Sequence, residues 1–194
     1  MVIAIIAILA ALLLPVARSM IAKSQTVQCT NNMRQIYVVL QRYAGDNEGR
    51  LPNFYFDPAS FPDKGGQCWF SVPPYWTDIP DGRARANIRC CPANPFLYSD
   101  RSNYLYNSEI GYSGGDEFNR PIVYTNLSKA LLLMDSGGTT ADTTGYGIAP
   151  TFPIERLNPA WHNGGGNFMF LDGHIEWLKA GTTNRRELFR PEAW

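Results

Sequence analysis

The sequence carries no surplus of charge of either sign: 17 Lys and Arg stand against 17 Asp and Glu, for a formal net charge of zero. That removes the electrostatic case for nucleic acid or an acidic surface as a partner, because such partners are drawn by a basic field. There is no C-x-x-C pair among the four cysteines Cys29, Cys68, Cys90 and Cys91, which argues against a zinc ribbon or a thioredoxin-type site. There are only two histidines, no H-E-x-x-H and no nucleophile motif, so the usual signatures of catalysis are missing. No internal repeat, low-complexity tract or long run of like charge occurs, which sets aside solenoids and biased tails. No charged residue precedes Arg18.

That last absence defines the most informative stretch. Val2 to Leu14 is an unbroken apolar run, and Pro15 follows it. A membrane span needs about 20 apolar residues, and the run to Ala17 falls slightly short of that. A signal peptide would want basic residues in front and a small-residue cleavage site behind; nothing basic leads here, and Pro15-Val16-Ala17-Arg18 is a poor site. A buried core helix would be apolar on one face, whereas this run is apolar on all of them. Beyond Pro15, Cys29, Met33, Ile36, Leu40 and Tyr43 recur at spacings of three and four, the stripe of an amphipathic helix. The chain therefore reads as one long helix over residues 1–45, of roughly 60 Å. Val2, Ile5, Ile6, Leu9, Leu12 and Leu13 form its membrane or filament-core half, Pro15 is a kink or weak point, and the stripe packs on a head of residues 46–194. Gly45-Asp46-Asn47-Glu48-Gly49 ends the helix.

The head is rich in Gly, Pro and aromatics, which favours strands and loops over a bundle. The rings Phe54, Tyr55, Phe56, Phe61, Trp69, Phe70, Tyr75 and Trp76 are read as packing rather than as a ligand surface. Ser102–Asn107 reads as a short strand or an extended loop, and strands are expected at Ile122–Thr125 and Lys129–Asp135. Asp172-Gly173, between two apolar segments, predicts a hairpin with a type I′ turn. Together these give an α+β fold: a long N-terminal helix on a head with a small antiparallel sheet and long loops. If the head lies outside the cytoplasm, disulfides among Cys29, Cys68, Cys90 and Cys91 are allowed, in any of three pairings; the alternative is that some of them are buried free thiols.

The segment Val2–Pro15 resembles the N-terminal helix of type IV pilins and type II secretion pseudopilins. Cys29-Thr30-Asn31-Asn32-Met33-Arg34-Gln35, Tyr43-Ala44-Gly45-Asp46-Asn47 and Leu51-Pro52 resemble the pseudopilin-like proteins abundant in planctomycetes and verrucomicrobia. His162, Asp172 and Gly173 match the H-x9-D-G motif that names the C-terminal domain of that group. The family's basic leader, its glycine–phenylalanine junction and its glutamate are not among these residues. By the resemblance, Met1 aligns several residues inside the mature helix. The resemblance implies a methylated prepilin-type subunit of a pilus or pseudopilus, anchored by a single pass in the inner membrane with a periplasmic head before assembly. Its partners would be copies of itself or related pilins, a prepilin peptidase and the assembly machinery.

The expected function is thus structural, with no enzyme activity and no cofactor. Two alternatives remain. One is a membrane-anchored periplasmic or surface binding module that never polymerises. The other is a metal-dependent hydrolase using His162, Asp172 and His174, although the turn already explains Asp172 and loop ordering explains His162. No metal ligand set is legible from spacing. Asp135, Asp142 and Asp172 are calcium candidates by residue type alone, since they do not follow a calcium-loop pattern.

Overall fold

The computed structural model describes residues 2–53, 69–72, 74–76, 88–94, 102–107, 110, 126–136, 147–148 and 161–181. Helix α1 spans Val2–Asp46, about 67 Å at 1.5 Å per residue. It is unbroken across Pro15, so the expected weak point does not interrupt it, although proline withholds one backbone donor there. The amphipathic stripe lands where its periodicity places it. Cys29, Met33, Ile36 and Leu40 are fully buried, and Tyr43 nearly so. Each large apolar side chain of this stripe contributes about 1.5–3 kcal/mol by burial. The apolar half has the opposite fate: Val2, Ile5, Ile6, Leu9, Leu12 and Leu13 are all at least half exposed.

The helix ends by a Schellman closure. The Gly49 N–H donates to the Ala44 carbonyl at 2.8 Å, while Glu48 occupies the left-handed region at φ 58°. Glycine is the usual residue at that position because it has no Cβ to clash. Glu48→Gly relieves about 1–2 kcal/mol of left-handed strain and loses about 0.4–1 kcal/mol through a freer unfolded chain. A net gain of about 0.5–1 kcal/mol is expected from these two terms, read as a higher thermal midpoint of the full chain in detergent. A lower midpoint would mean that the Glu48–Arg50 pair, 3.6 Å apart with Glu48 largely exposed, matters more than surface ion pairs do.

The sheet is built from β1 (Tyr104–Asn107), β2 (Leu131–Asp135), β3 (Gly147–Ile148), β4 (Gly165–Phe170) and β5 (Ile175–Lys179), in the order β3-β1-β2-β4-β5. Strands β1, β2, β4 and β5 pair antiparallel, and the two-residue β3 adds parallel to β1. The fold is α+β, as the sequence predicts. Leu131 pairs with Phe170 and Leu133 with Met169, so Leu132 is an extra residue in β2. This bulge turns both Leu132 and Leu133 toward the helix-side core, with Tyr104, Tyr106 and Met169. Leu105, Leu131, Met134, Phe168 and Phe170 form a second cluster. Burial on both faces explains why β2 reads as a continuous apolar run rather than an alternation.

Trp69, Phe70 and Trp76 are buried in the helix-side core, as the packing account requires. Phe54, Tyr55, Phe56, Phe61, the strand expected at 122–125, Cys68 and Asp142 lie outside the described residues.

Candidate functional site

The hairpin at Asp172-Gly173 forms, but its turn differs from the expected one. The Gly173 N–H donates to the Phe170 carbonyl at 2.9 Å, and the Phe170 N–H to the His174 carbonyl at 3.0 Å. Only Gly173 has positive φ, at 88°. This is a three-residue loop closed by a left-handed glycine, not a two-residue type I′ turn, which would need positive φ at Asp172 as well. A Cβ at Gly173 would also lie 2.7 Å from the Tyr37 ring, and the Tyr37 hydroxyl donates to the Leu171 carbonyl at 3.1 Å. The motif glycine is therefore where the hairpin docks on α1.

A type I′ turn does occur, at Asn163-Gly164, with φ values of 56° and 80°. His162 and Gly165 flank it and exchange backbone hydrogen bonds of 3.1 and 3.3 Å. The Trp177 indole N–H donates to the His162 carbonyl at 2.8 Å. Gly165 lies so close to Trp177 that a Cβ there would sit 2.5 Å from the ring. These contacts fix His162 at the entrance to β4 and send its side chain inward, 1% exposed.

Asp172 and His174 are at the other end of β4. Six strand residues separate His162 from that turn, or about 20 Å at 3.3 Å per residue. The Asp172 carboxylate and His174 Nδ1 meet each other at 2.6 Å in solvent, and the His174 ring stacks on Phe170. The grouping of His162, Asp172 and His174 as a hydrolase site is thus corrected: the first is buried and the other two cap a remote turn.

What His162 does meet is a cluster of four potential ligands. Cys29, Cys91, Asp135 and His162 place one donor atom each within 4.8 Å of all the others, and all four residues are buried. The Cys29 thiol donates to Asp135 Oδ1 at 2.9 Å. Cys91 Sγ lies 3.2 Å from His162 Nε2, and Asp135 Oδ2 lies 3.4 Å from the same nitrogen. Each residue has a local reason to be there. Cys29 lies on the buried stripe of α1. Cys91 sits in a loop held by two α1 side chains, Gln25 Nε2 donating to the Pro92 carbonyl at 3.3 Å and Asn32 Nδ2 to the Cys90 carbonyl at 3.2 Å. Asp135 closes the apolar strand β2.

A second ring of polar groups holds the first. The Thr26 hydroxyl donates to the Ala22 carbonyl at 3.0 Å, so its lone pair accepts from His162 Nδ1, 3.0 Å away. That commits Nδ1 outward and turns Nε2 into the cluster. Asn167 donates to Asp135 Oδ2 from its backbone N–H at 2.7 Å and from Nδ2 at 3.0 Å. Its Nδ2 also reaches Cys29 Sγ at 3.3 Å, and the Tyr104 hydroxyl reaches the same sulfur at 3.5 Å.

The electrostatics follow from this crowding. Hydrogen bonding with Cys29, opposed by burial and aided by His162, lowers the Cys91 thiol to about 5. Burial and then the charge of Cys91 raise the Asp135 carboxyl to about 7, against the favourable His162 and Cys29. Burial also pushes the Cys29 thiol up. Burial pulls His162 down, but the Cys91 hydrogen bond and the Asp135 charge outweigh it and leave it raised.

A thiolate beside an imidazole suggests a nucleophile, yet the geometry argues against one. Cys91 is fully buried. Asp135 and Cys91 both face Nε2, whereas a carboxylate that orients a base engages the ring nitrogen opposite the nucleophile. Cys29, Cys90 and Cys91 are free thiols, so the disulfides allowed by the sequence are not present at these three positions. The calcium reading of Asp135 is corrected as well: two thiols and an imidazole are the wrong donors for a cation that takes oxygen ligands. The four residues share no local motif, so spacing along the chain does not group them; the fold brings together donors that could hold a metal ion.

Among the described residues one helix, α1, is long and apolar enough to cross a membrane, and none of its most apolar window is covered by the head. No family model, curated protein or solved structure matches the chain.

Proposed function

We propose that the chain is a structural subunit of a type IV pilus-like filament or type II secretion pseudopilus, held in the inner membrane by the apolar half of α1 before assembly. One observation carries this reading. A single helix of 45 residues is clamped to the head by its C-terminal part and leaves its N-terminal part bare and apolar on every side. Such a surface requires an apolar partner. Lipid supplies it before assembly, and the same surface of other copies supplies it within a filament core. A head-to-tail arrangement of this kind is open, so it propagates into a filament. The resemblance of Val2–Pro15 and of His162, Asp172 and Gly173 to pilin-like proteins points the same way.

The test places a photo-crosslinking amino acid at Leu13 and expresses the full chain with its own assembly genes. Self-adducts in filaments sheared from the cell surface are the expected result. Adducts confined to the membrane fraction, with the chain absent from sheared filaments, would favour the anchored binding module that never polymerises.

A further inference from the structure

We infer that Cys29, Cys91, Asp135 and His162 form a structural zinc site that staples α1 to the head. The inference stands apart from the filament reading and rests on the contact between the C-terminal part of α1 and the head. Four donor atoms within 4.8 Å of one another surround a space of the right size, since the edges of a zinc tetrahedron are about 3.3–3.8 Å for bonds of 2.0–2.3 Å. Cys29 Sγ to Asp135 Oδ1, at 2.9 Å, and Cys91 Sγ to His162 Nε2, at 3.2 Å, need to open by about 0.3–0.6 Å to reach a sulfur–oxygen or sulfur–nitrogen edge.

The donor set selects the metal. Two sulfurs, one imidazole nitrogen and one carboxylate oxygen suit zinc and disfavour calcium and magnesium, which take oxygen. Four protein ligands leave no open position, and closed four-coordinate sites are structural rather than catalytic. Zinc entry displaces the Cys29 thiol proton and any proton still held by Cys91, Asp135 or His162 Nε2, because the ligands bind in their deprotonated forms. The product, Zn²⁺ with two thiolates and one carboxylate, carries a net charge of about −1. The Tyr104 hydroxyl and the Asn167 amide donate to Cys29 and Asp135 and so stabilise that charge.

The outer ring is the second argument. Ligating histidines give their other ring nitrogen to a fixed acceptor, which sets the tautomer and the ring orientation. Thr26 is that acceptor, and it is itself anchored to the Ala22 carbonyl. A simple hydrogen-bonded core has no need for such an arrangement around two cysteines. On the outer side of this pair, Thr26 and His162 line a groove with Lys23, Val27, Asn163 and Trp177. The ligands are far apart in sequence, Cys29 and Asp135 by 106 positions and Cys91 and His162 by 71, so one ion joins the helix, a loop, β2 and the turn before β4.

The experiment uses the full chain purified in detergent under reducing conditions, with zinc and cobalt(II) as probes. Elemental analysis should find one zinc per chain after dialysis. Cobalt in its place should give the visible absorption of a tetrahedral ion together with thiolate charge transfer. Cys91→Ser should abolish both signals. Thr26→Val should keep the stoichiometry while weakening zinc by about 10–100-fold in chelator competition, the usual effect of losing an outer-ring partner; an unchanged affinity would remove Thr26 from the site. The proposal is overturned if the folded wild-type chain takes up neither metal, or if the cobalt spectrum survives Cys29→Ser/Cys91→Ser. It is equally overturned if alkylation and mass spectrometry of protein taken from cells find Cys29 joined to Cys91. Should Cys91→Ser fail to fold, the zinc stoichiometry and the cobalt spectrum of the wild-type chain decide the matter.

Discussion

Two aspartates in the apolar half of α1, Leu9→Asp with Leu12→Asp, are expected to release the chain from the membrane. Each aspartate at the centre of a span costs about 2.5–3.5 kcal/mol, and each lost leucine removes about 0.3–0.6 kcal/mol of favourable transfer. The pair therefore amounts to about 6–8 kcal/mol, a shift of more than about ten-thousandfold in partition. The positions are one helical turn apart, so both charges fall on one face and cannot each find a separate escape. Leu9 and Leu12 are 55% and 66% exposed and lie outside the core of the head, so the thermal midpoint of the head should not move. Membrane flotation after carbonate washing reads the first effect and thermal melting the second. A double variant that floats with the membranes as the wild type does would show that this half of the helix is not the anchor.

The features legible in the sequence are the ones encoded locally. The stripe of Cys29, Met33, Ile36, Leu40 and Tyr43 needs only the 3.6-residue period, and the whole stripe is buried. The β4–β5 hairpin needs only a turn between two apolar segments, and it forms even though its loop has three residues instead of two. The donor cluster was not legible, because nothing within ten residues of any ligand names the other three. Proximity along the chain suggests grouping His162 with Asp172 and His174, but a six-residue extended strand carries those two to the far end of β4. Three signals did exist. Cys29 falls on the interior face of an amphipathic helix. Asp135 ends a strand that is otherwise wholly apolar, and a carboxylate buried there needs a partner. Asn163-Gly164 is a stronger type I′ signal than Asp172-Gly173, and it predicts a sharp reversal that points His162 inward.

The cluster and the bare helix are coupled through one rigid element. Cys29 lies on the same α1 whose first half is uncovered, and the head grips that helix over Cys29–Ala44. A pull on the apolar half would be borne by this grip. The bonds from Thr26, Gln25 and Asn32 to the His162 and Cys90–Pro92 segments extend it along the polar flank. A head that loosened here would leave the helix in place and detach from it.

Trp69→Ala should show how much of that grip depends on the aromatic core. Trp69 is fully buried. Its ring stacks on Tyr106 at 5.4 Å and 19°, and meets Phe70 and Trp76 edge-on at 5.3 and 6.0 Å. The Tyr106 hydroxyl in turn donates to the Pro52 carbonyl at 3.0 Å, just beyond the end of α1. Truncation removes the ring and leaves a cavity that its neighbours can fill only in part, a loss of about 3–5 kcal/mol. Against a typical total of about 5–15 kcal/mol, that is enough to leave much of the head unfolded in mild denaturant. Trp69→Phe keeps a stacking partner for Tyr106 and should cost distinctly less. Guanidinium unfolding of the full chain in detergent, followed by near-ultraviolet circular dichroism, separates the two. If these rings served instead as an exposed surface for a ligand, both variants would unfold at the wild-type midpoint, and the packing account of the head would fail.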